Sequence, residues 1–485
     1  MLYVCKIMAC SENFCSNYLV LSPKNASLVD IFRLLFSSNL ENRRFVDCPK
    51  DTEETEFRRR QIIFISVIAQ KVLLFMAKPM SWVGSVFERW LNLLSSNRNL
   101  AVLLLNLVRG NVVVPDETSA TFTSTIGNLD KRVELDSSIT HENNRYYAAL
   151  SIMAAKLAYE NEAFIQSIIT HHWKMKFIGF YNFWNDYQES FSTQGFMFHV
   201  EQPELIVVSF RGTRPFDADA WRSDVDISWY EIPEVGRVHG GFMKALGLQK
   251  GSGWPKDIIQ PAATAAEGKQ NQHPFAYYAI RGKLRDMLRD REGAKFILTG
   301  HSLGGALAIL FAVVLALHQD EWMLKRLDGV YTFGQPRVGD EKLGKFMESQ
   351  LRSYGVRYLR FVYCNDMVPR LPYDDSTLMF KHFGTCVYYN SCYQGKILQE
   401  EPNKNYFSVL MVMPKILNAF WELIRSFTIR FKSGADYKEG SLLRLFRMMG
   451  LIVPGVSAHT PQDYVNATRL GSSRLYDQLQ GLKLE

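Results

Sequence analysis

The sequence has few cysteines, none of them paired by spacing, and no long stretch of one charge. Seven cysteines stand in 485 residues: Cys5, Cys10, Cys15 and Cys48 near the N-terminus, and Cys364, Cys386 and Cys392 far downstream. None forms a CxxC pair, so neither a zinc site nor a disulfide framework is expected; reduced thiols in a cytosolic setting are. The opening MLYVCKIMACSENFC lacks the basic start, continuous apolar run and small-residue cleavage site of a secretory signal. The sequons at Asn25 and Asn466 are therefore expected to go unused. Lys and Arg exceed Asp and Glu by 56 to 49, a net +7 spread along the chain without long basic runs. Nucleic acid is thus not an expected partner, while an anionic lipid surface stays open. EF-hand, HExxH, Walker and GxGxxG patterns are missing, and no metal or organic cofactor is expected. Internal repeats and low-complexity tracts are missing too. With 47% hydrophobic, 13% aromatic and 22% charged residues, the chain carries enough apolar mass for a sizeable core, which excludes wholesale disorder, collagen and coiled coil.

Composition divides the chain into an N-terminal segment (1–57), an apolar region (58–110), a polar connector (111–145) and a body (146–485). In the apolar region Arg58, Arg59 and Arg60 lead into IIFISVIAQKVLLFMA (62–77), and a second run, LAVLLLNLV, covers 100–108. The first run as a helix is about 24 Å long, short of the roughly 30 Å hydrocarbon thickness, and Lys71 interrupts it. A single clean transmembrane span is a poor reading. Pro79, which lacks an N–H, is expected to break or sharply bend a helix there. The region then reads as a helical hairpin or a membrane or lipid-droplet anchor, with Lys78 and the arginines reaching headgroups and Trp82 and Trp90 at the interface. Helices packed on the downstream body are the alternative. In the body, strand-like LIVVSF, KFILTG, GVYTFG and YLRFVYC alternate with helical stretches, which predicts a mainly parallel central sheet flanked by helices. An apolar insertion at 395–456 breaks that regularity, and Arg425, Arg430 and Lys432 beside Phe420, Trp421, Ile424 and Phe427 suggest either an amphipathic lipid-facing surface or a buried helical pair.

The chemistry concentrates in KFILTGHSLGGALAILFAVVLAL (295–317), where an apolar strand runs into Gly300-His301-Ser302-Leu303-Gly304 and an apolar helix follows. This is a GxSxG nucleophile elbow in its required strand–turn–helix setting, and Ser302 is the candidate nucleophile. A serine hydroxyl needs a base to take its proton, and in this arrangement an acid and then a histidine follow in sequence. Among the later histidines, His459 in the turn-rich PGVSAHTPQDY is better placed than His382. His318, at the far end of the elbow helix, reads as solvated. For the acid, Asp366 follows directly on the β-rich YLRFVYC, with Asp374 and Asp375 as alternatives; Asp340 reads as a helix cap. Arg211 and Arg214 read as structural ion-pair residues.

LIVVSFRGT, VHGGF, GHSLGGALA, TFGQPRVGD, the NDMVPRLP loop and the late His459 together resemble the class 3 lipase family of α/β hydrolases. FWNDYQ, the DADAWRSDVDISWYE segment and an apolar region ahead of the body resemble most closely the plant oil-body lipases of that family. The resemblance implies an α/β-hydrolase body and a triacylglycerol lipase that releases fatty acids from acylglycerols through an acyl-enzyme. It implies Ser302, Asp366 and His459 as the triad, and Thr213 with the backbone N–H of Leu303 as the oxyanion hole, in preference to Gly240 of VHGGF. Such an enzyme works at the lipid-droplet or oil-body surface, on its cytosolic face, with the endoplasmic reticulum membrane as a second location. A phospholipase A1 or galactolipase of the same fold is the alternative, and a non-catalytic droplet-anchored scaffold is a further one. The segment 215–233 lies where a lid of this family belongs, yet it is acidic with scattered apolar residues. The apolar insertion between Asp366 and His459 is expected to sense the lipid surface instead.

Overall fold

The computed structural model describes residues 14–41, 43–50, 52–258, 273–374, 379–404, 406 and 408–481. Cys5, Cys10 and Asp375 lie outside them.

Five strands that read as near-continuous apolar runs form the parallel centre of an eight-stranded sheet: Leu205–Phe210, Lys295–His301, Leu327–Phe333, Arg357–Tyr363 and Thr385–Tyr389. Such runs are what a strand needs when both faces are covered. Gly395–Leu398 closes one edge antiparallel, and Ser190–Val200 and Lys176–Asn185 extend the other. Helix Leu303–Leu317 is apolar all round and buried through Ala316, as a helix enclosed on every side must be. It packs on one face of the sheet with helices Ala276–Arg289 and Glu341–Ser353, whereas Tyr146–Leu157 and Pro461–Leu470 belong to the core on the other face. The arrangement is an α/β-hydrolase fold. Asp340 caps Glu341–Ser353 through Leu343 N–H.

The N-terminal segment is built into this body. Asn17–Leu21 pairs antiparallel with Trp229–Ile232 in a second, four-stranded sheet, completed by Val46–Asp47 and Gly236–His239. Cys15 is disulfide-bonded, against the expectation of reduced thiols throughout, while Cys364, Cys386 and Cys392 are free thiols.

The apolar region departs from the expected break at Pro79. One 40-residue helix, Phe57–Ser96, runs straight through that proline, about 60 Å at 1.5 Å per residue. Contacts on both sides tie the two halves to the rest of the chain. Before Pro79, Ser66 Oγ donates to Val225 O at 2.6 Å and Lys71 Nζ to Ala26 O at 2.6 Å. After it, Glu88 accepts from Thr125 N–H at 2.8 Å and Asn92 Nδ2 donates to Thr123 O at 2.8 Å. The chain turns at 97–99 instead, where Asn97 joins Val113 and Asn106, and a shorter helix, Leu100–Arg109, follows. By length and composition Phe57–Ser96 is able to cross a membrane, which the shorter run read from the sequence is not. Phe75, Trp82, Trp90, Leu107 and Val108 project to the outside.

The insertion contains helices Val412–Ser433 and Ser441–Ile452, packed on each other. Their amphipathicity is reversed: Lys415, Glu422, Arg425 and Arg447 are buried, and Met413, Leu417, Phe420, Trp421, Phe427 and Phe431 are exposed.

Candidate active site

Strand Lys295–His301 delivers Ser302 at φ 59° and ψ −131°, a left-handed backbone that a serine adopts only where its surroundings impose it. The surroundings are tight. Ser302 N–H donates to Phe333 O at 2.9 Å, and a Cβ on Gly304 would strike the carbonyl oxygen of Phe210 on the neighbouring strand. Only glycine there lets the helix start close enough to the sheet to turn the serine outward.

Ser302 Oγ lies 2.8 Å from Nε2 of His459, which stands on the turn Ser457–His459. Nδ1 of the same ring lies 2.8 and 3.0 Å from the two carboxylate oxygens of Asp366, which follows strand Arg357–Tyr363 and is fully buried. With Nδ1 protonated toward Asp366, Nε2 is left as the acceptor for the serine hydroxyl. The imidazole keeps 20% of its side chain exposed. Two more donors hold the carboxylate: Val368 N–H at 2.9 Å and the hydroxyl of Tyr464 at 2.5 Å. Burial and the adjacent Asp366 charge push the Tyr464 phenol well above its ordinary value, so it stays protonated and donating. Gly334, at φ +59°, gives this group room, since a Cβ there would sit 2.9 Å from Asp366 Oδ2 and 3.0 Å from the imidazole. Beneath, Arg370 pins the loop by donating to the carbonyls of Asp366, Cys364 and Pro402.

His301 lies against His459, ring centroids 4.5 Å apart, with Nδ1 2.8 Å from the Tyr159 hydroxyl. Burial first, and His459 second, hold its pKa well below the ordinary histidine value, so it remains neutral beside the His459 ring.

Thr213 follows strand Leu205–Phe210, and its Oγ1 donates to Asp224 Oδ2 at 2.7 Å. Leu303 is the first residue of the elbow helix, so its N–H has no intrahelical acceptor and the helix dipole favours an anion beside it. Gly240, by contrast, already donates its N–H to Ser228 O at 2.6 Å, and His239 stacks on Phe242 and caps helix Gly240–Leu246. The segment at the lid position forms helix Ala218–Val225, which packs under Phe57–Ser96; Phe216 meets Phe87 with ring centroids 6.0 Å apart. Burial raises the Asp224 carboxyl to about 7.

The alternatives go elsewhere. His382 is buried, 2.6 Å from Pro369 O, and Asp374 pairs with Lys404 at 3.1 Å. His318 is not solvated: it is buried between the Tyr277 hydroxyl at 2.9 Å and Trp254 O at 3.1 Å. Arg211 donates to Asp217 at 2.9 Å and to Gln194 at 2.7 Å, while Arg214 reaches Asp217 at 3.9 Å. Sequence reasoning gave no role to Tyr464, Asp224 or Tyr159. For Tyr464 the available signal was its place five residues beyond His459. Among the described residues no group of three or more His, Cys, Asp or Glu side chains is arranged to hold a metal ion.

Residues 207–376 match the sequence family described as Lipase (class 3). A triacylglycerol lipase OBL1 of Nicotiana tabacum is 44% identical over 481 residues, covering 86% of this chain and 84% of its own length. Its namesake in Arabidopsis thaliana is 41% identical over 492 residues, covering 94% and 95%. Among solved structures, the Rhizomucor miehei triacylglyceride lipase is 24% identical, covers 50% of this chain and 78% of its own, and superposes with a TM-score of 0.36.

Proposed function

The chain belongs to the class 3 lipases, and from that premise we propose that it is a triacylglycerol lipase in which Ser302 is the nucleophile, His459 the general base and Asp366 the residue that orients and balances the imidazole. The observation that carries the reading is the unbroken relay from Ser302 Oγ through His459 to Asp366. Ser302 Oγ attacks the ester carbonyl carbon as its proton passes to His459 Nε2. The negative charge that collects on the former carbonyl oxygen meets the backbone N–H groups of Leu303 and Thr213, each worth roughly 3 kcal/mol in the transition state. Collapse breaks the bond to the glycerol oxygen, which takes the proton from His459 and leaves as diacylglycerol. Water, deprotonated by the same nitrogen, then attacks the acyl-serine, releases the fatty acid and restores the hydroxyl. Asp224 holds the Thr213 side chain and thereby the loop that offers this N–H.

The working location is a lipid-droplet surface. The outward apolar residues of helix Phe57–Ser96 support this, among them Phe75 and Trp82, which lie on either side of Pro79.

The test is fatty-acid release from emulsified triolein and, in parallel, from phospholipid vesicles, by the wild-type chain and by Ser302→Ala. Release from triolein that the substitution abolishes is expected. A preference for vesicles would move the substrate to phospholipid, and release that survives in Ser302→Ala would remove the serine from the mechanism.

A further inference from the structure

The two insertion helices are inside out. On Val412–Ser433 the residues Met413, Leu417, Phe420, Trp421, Ile424, Phe427 and Phe431 follow one another at helical spacing and all face outward, Phe431 with 78% of its surface exposed. Ser441–Ile452 adds Leu445, Met448, Met449 and Ile452, the last 83% exposed. The opposite faces carry a buried cluster of paired charges. Arg447 pairs with Glu439 at 2.6 Å and with Asp463 at 3.0 Å, Arg425 pairs with Asp463 at 2.9 Å, and Glu422 accepts from the Tyr363 hydroxyl at 3.1 Å. The apolar faces are therefore not a core waiting for its protein. An apolar stripe of this length on the outside marks an interaction surface.

Its occupant follows from its charges and its position. Every exposed or half-exposed charge on the two helices is positive: Arg430, Lys432 and Arg444. Arg430 and Arg444 lie over the rings of Phe431 and Phe427, at 4.6 and 4.3 Å from their centroids, flanking the apolar stripe with cations. A phase that is apolar inside, asks for no hydrogen bonds and carries anionic headgroups at its boundary matches this pattern. The surface is also fixed to the catalytic histidine. Helix Ser441–Ile452 runs into the turn that bears His459, a Cβ on Gly450 would lie 2.5 Å from Ser457 Oγ, and Asp463, which Arg425 and Arg447 hold, is one helical turn beyond His459.

We propose that the outward faces of Val412–Ser433 and Ser441–Ile452 form a second lipid-docking surface, separate from helix Phe57–Ser96, that lays the His459 side of the active site on an anionic lipid monolayer. This rests on the lipase reading only for its purpose; the docking itself is tested without catalysis. In the full-length Ser302→Ala chain, p-benzoylphenylalanine is placed at Phe420, at Phe427 or, as control, at Trp322, which lies past the far end of the helix that Ser302 begins. After irradiation on triolein droplets coated with phosphatidylcholine and phosphatidate, lipid adducts at 420 and 427 are expected to exceed those at 322 about tenfold. Yields no higher than at 322, or crosslinks that join two copies of the chain, would overturn the proposal. In the active chain, Ile424→Glu with Phe427→Glu is expected to leave hydrolysis of a soluble short-chain ester unchanged and to raise the apparent KM for the emulsion about tenfold. Equal kinetics on the emulsion would refute it as well. Absence of Ser302-dependent release from triolein would refute the lipase reading and leave the crosslinking result standing.

Discussion

Tyr464→Phe removes one oxygen and tests how the Asp366 carboxylate is held. The hydroxyl donates to Asp366 Oδ2 at 2.5 Å and accepts Tyr363 N–H at 3.3 Å, fully buried on both counts. A hydrogen bond to a charged group contributes about 1.5–3 kcal/mol. Asp366 keeps Val368 N–H and the imidazole, so the lower end applies and kcat is expected to fall about tenfold, each 1.36 kcal/mol being one decade. KM should hardly move, because the phenol lies behind the carboxylate and away from substrate. A second readout separates positioning from general loss of structure. Urea unfolding of the same variant reports the stability lost, and kcat of the folded protein on a soluble ester reports the positioning. Tyr393→Phe is the control: its hydroxyl is equally buried but donates to Asp463 at 2.8 Å, so it should lower stability without lowering kcat. A folded Tyr464→Phe protein with unchanged kcat, measured on a soluble ester, would refute the reasoning.

Three further outcomes are expected. Asp224, whose carboxyl burial raises from 3.8 to about 7, binds its proton more tightly in the folded state. Its stabilising contribution is therefore full below about pH 4 and is lost as pH rises through 7. Asp224→Asn, neutral throughout, should gain in Tm relative to wild type between pH 5 and pH 8 by differential scanning fluorimetry; a difference that stays constant with pH would exclude this. Arg447→Met strands Glu439 in the interior and leaves Asp463 with Arg425 and Tyr393, which costs about 3–5 kcal/mol; adding Glu439→Gln should recover part of it in urea unfolding, and additive losses would argue against the pairing. Replacing Phe75, Trp82 and Trp90 with Ser in the full chain should lower co-flotation with triolein droplets, each fully desolvated aromatic contributing about 1.5–3 kcal/mol; undiminished flotation would place the anchor elsewhere.

What the sequence made legible was whatever its local chemistry encloses. The elbow is such a case: strand, strained serine and apolar helix are contiguous, and the glycine at 304 is demanded by a neighbouring strand that is itself a plain apolar run. The structure brings Asp366 and His459 to that serine from the two places that chain order and turn chemistry suggested. Contacts between distant parts of the chain were not legible. His318 stands at the end of a helix, where a solvated ring is the ordinary outcome, yet Tyr277 and Trp254 cover it. Pro79 removes a helical hydrogen bond and would break an isolated helix. It does not do so here because Ser66 and Lys71 on one side, and Glu88 and Asn92 on the other, are tied to the rest of the chain. Nor does the composition of 1–57 reveal that Asn17–Leu21 pairs with Trp229–Ile232.

The insertion shows why a helical pattern alone leaves its orientation undecided. The spacing of Phe420, Ile424, Phe427 and Phe431 announces an apolar stripe, and the rule for a soluble protein turns such a stripe inward. Which face goes inward depends on whether the other face can be satisfied in the interior. Glu422 and Arg425 in isolation would be prohibitive to bury. They become tolerable only because Glu439, Arg447 and Asp463 arrive from three other positions with matching charge and geometry. Once those five have paired, the charged face is the one that packs, and the apolar face is left outside beside the turn that carries His459. A lone pair of opposite charges would give the fold little reason to choose this orientation, since buried ion pairs often stabilise no better than apolar side chains of similar volume. The choice makes sense where the outward surface has a phase of its own to enter, and the substrate proposed for Ser302 supplies one.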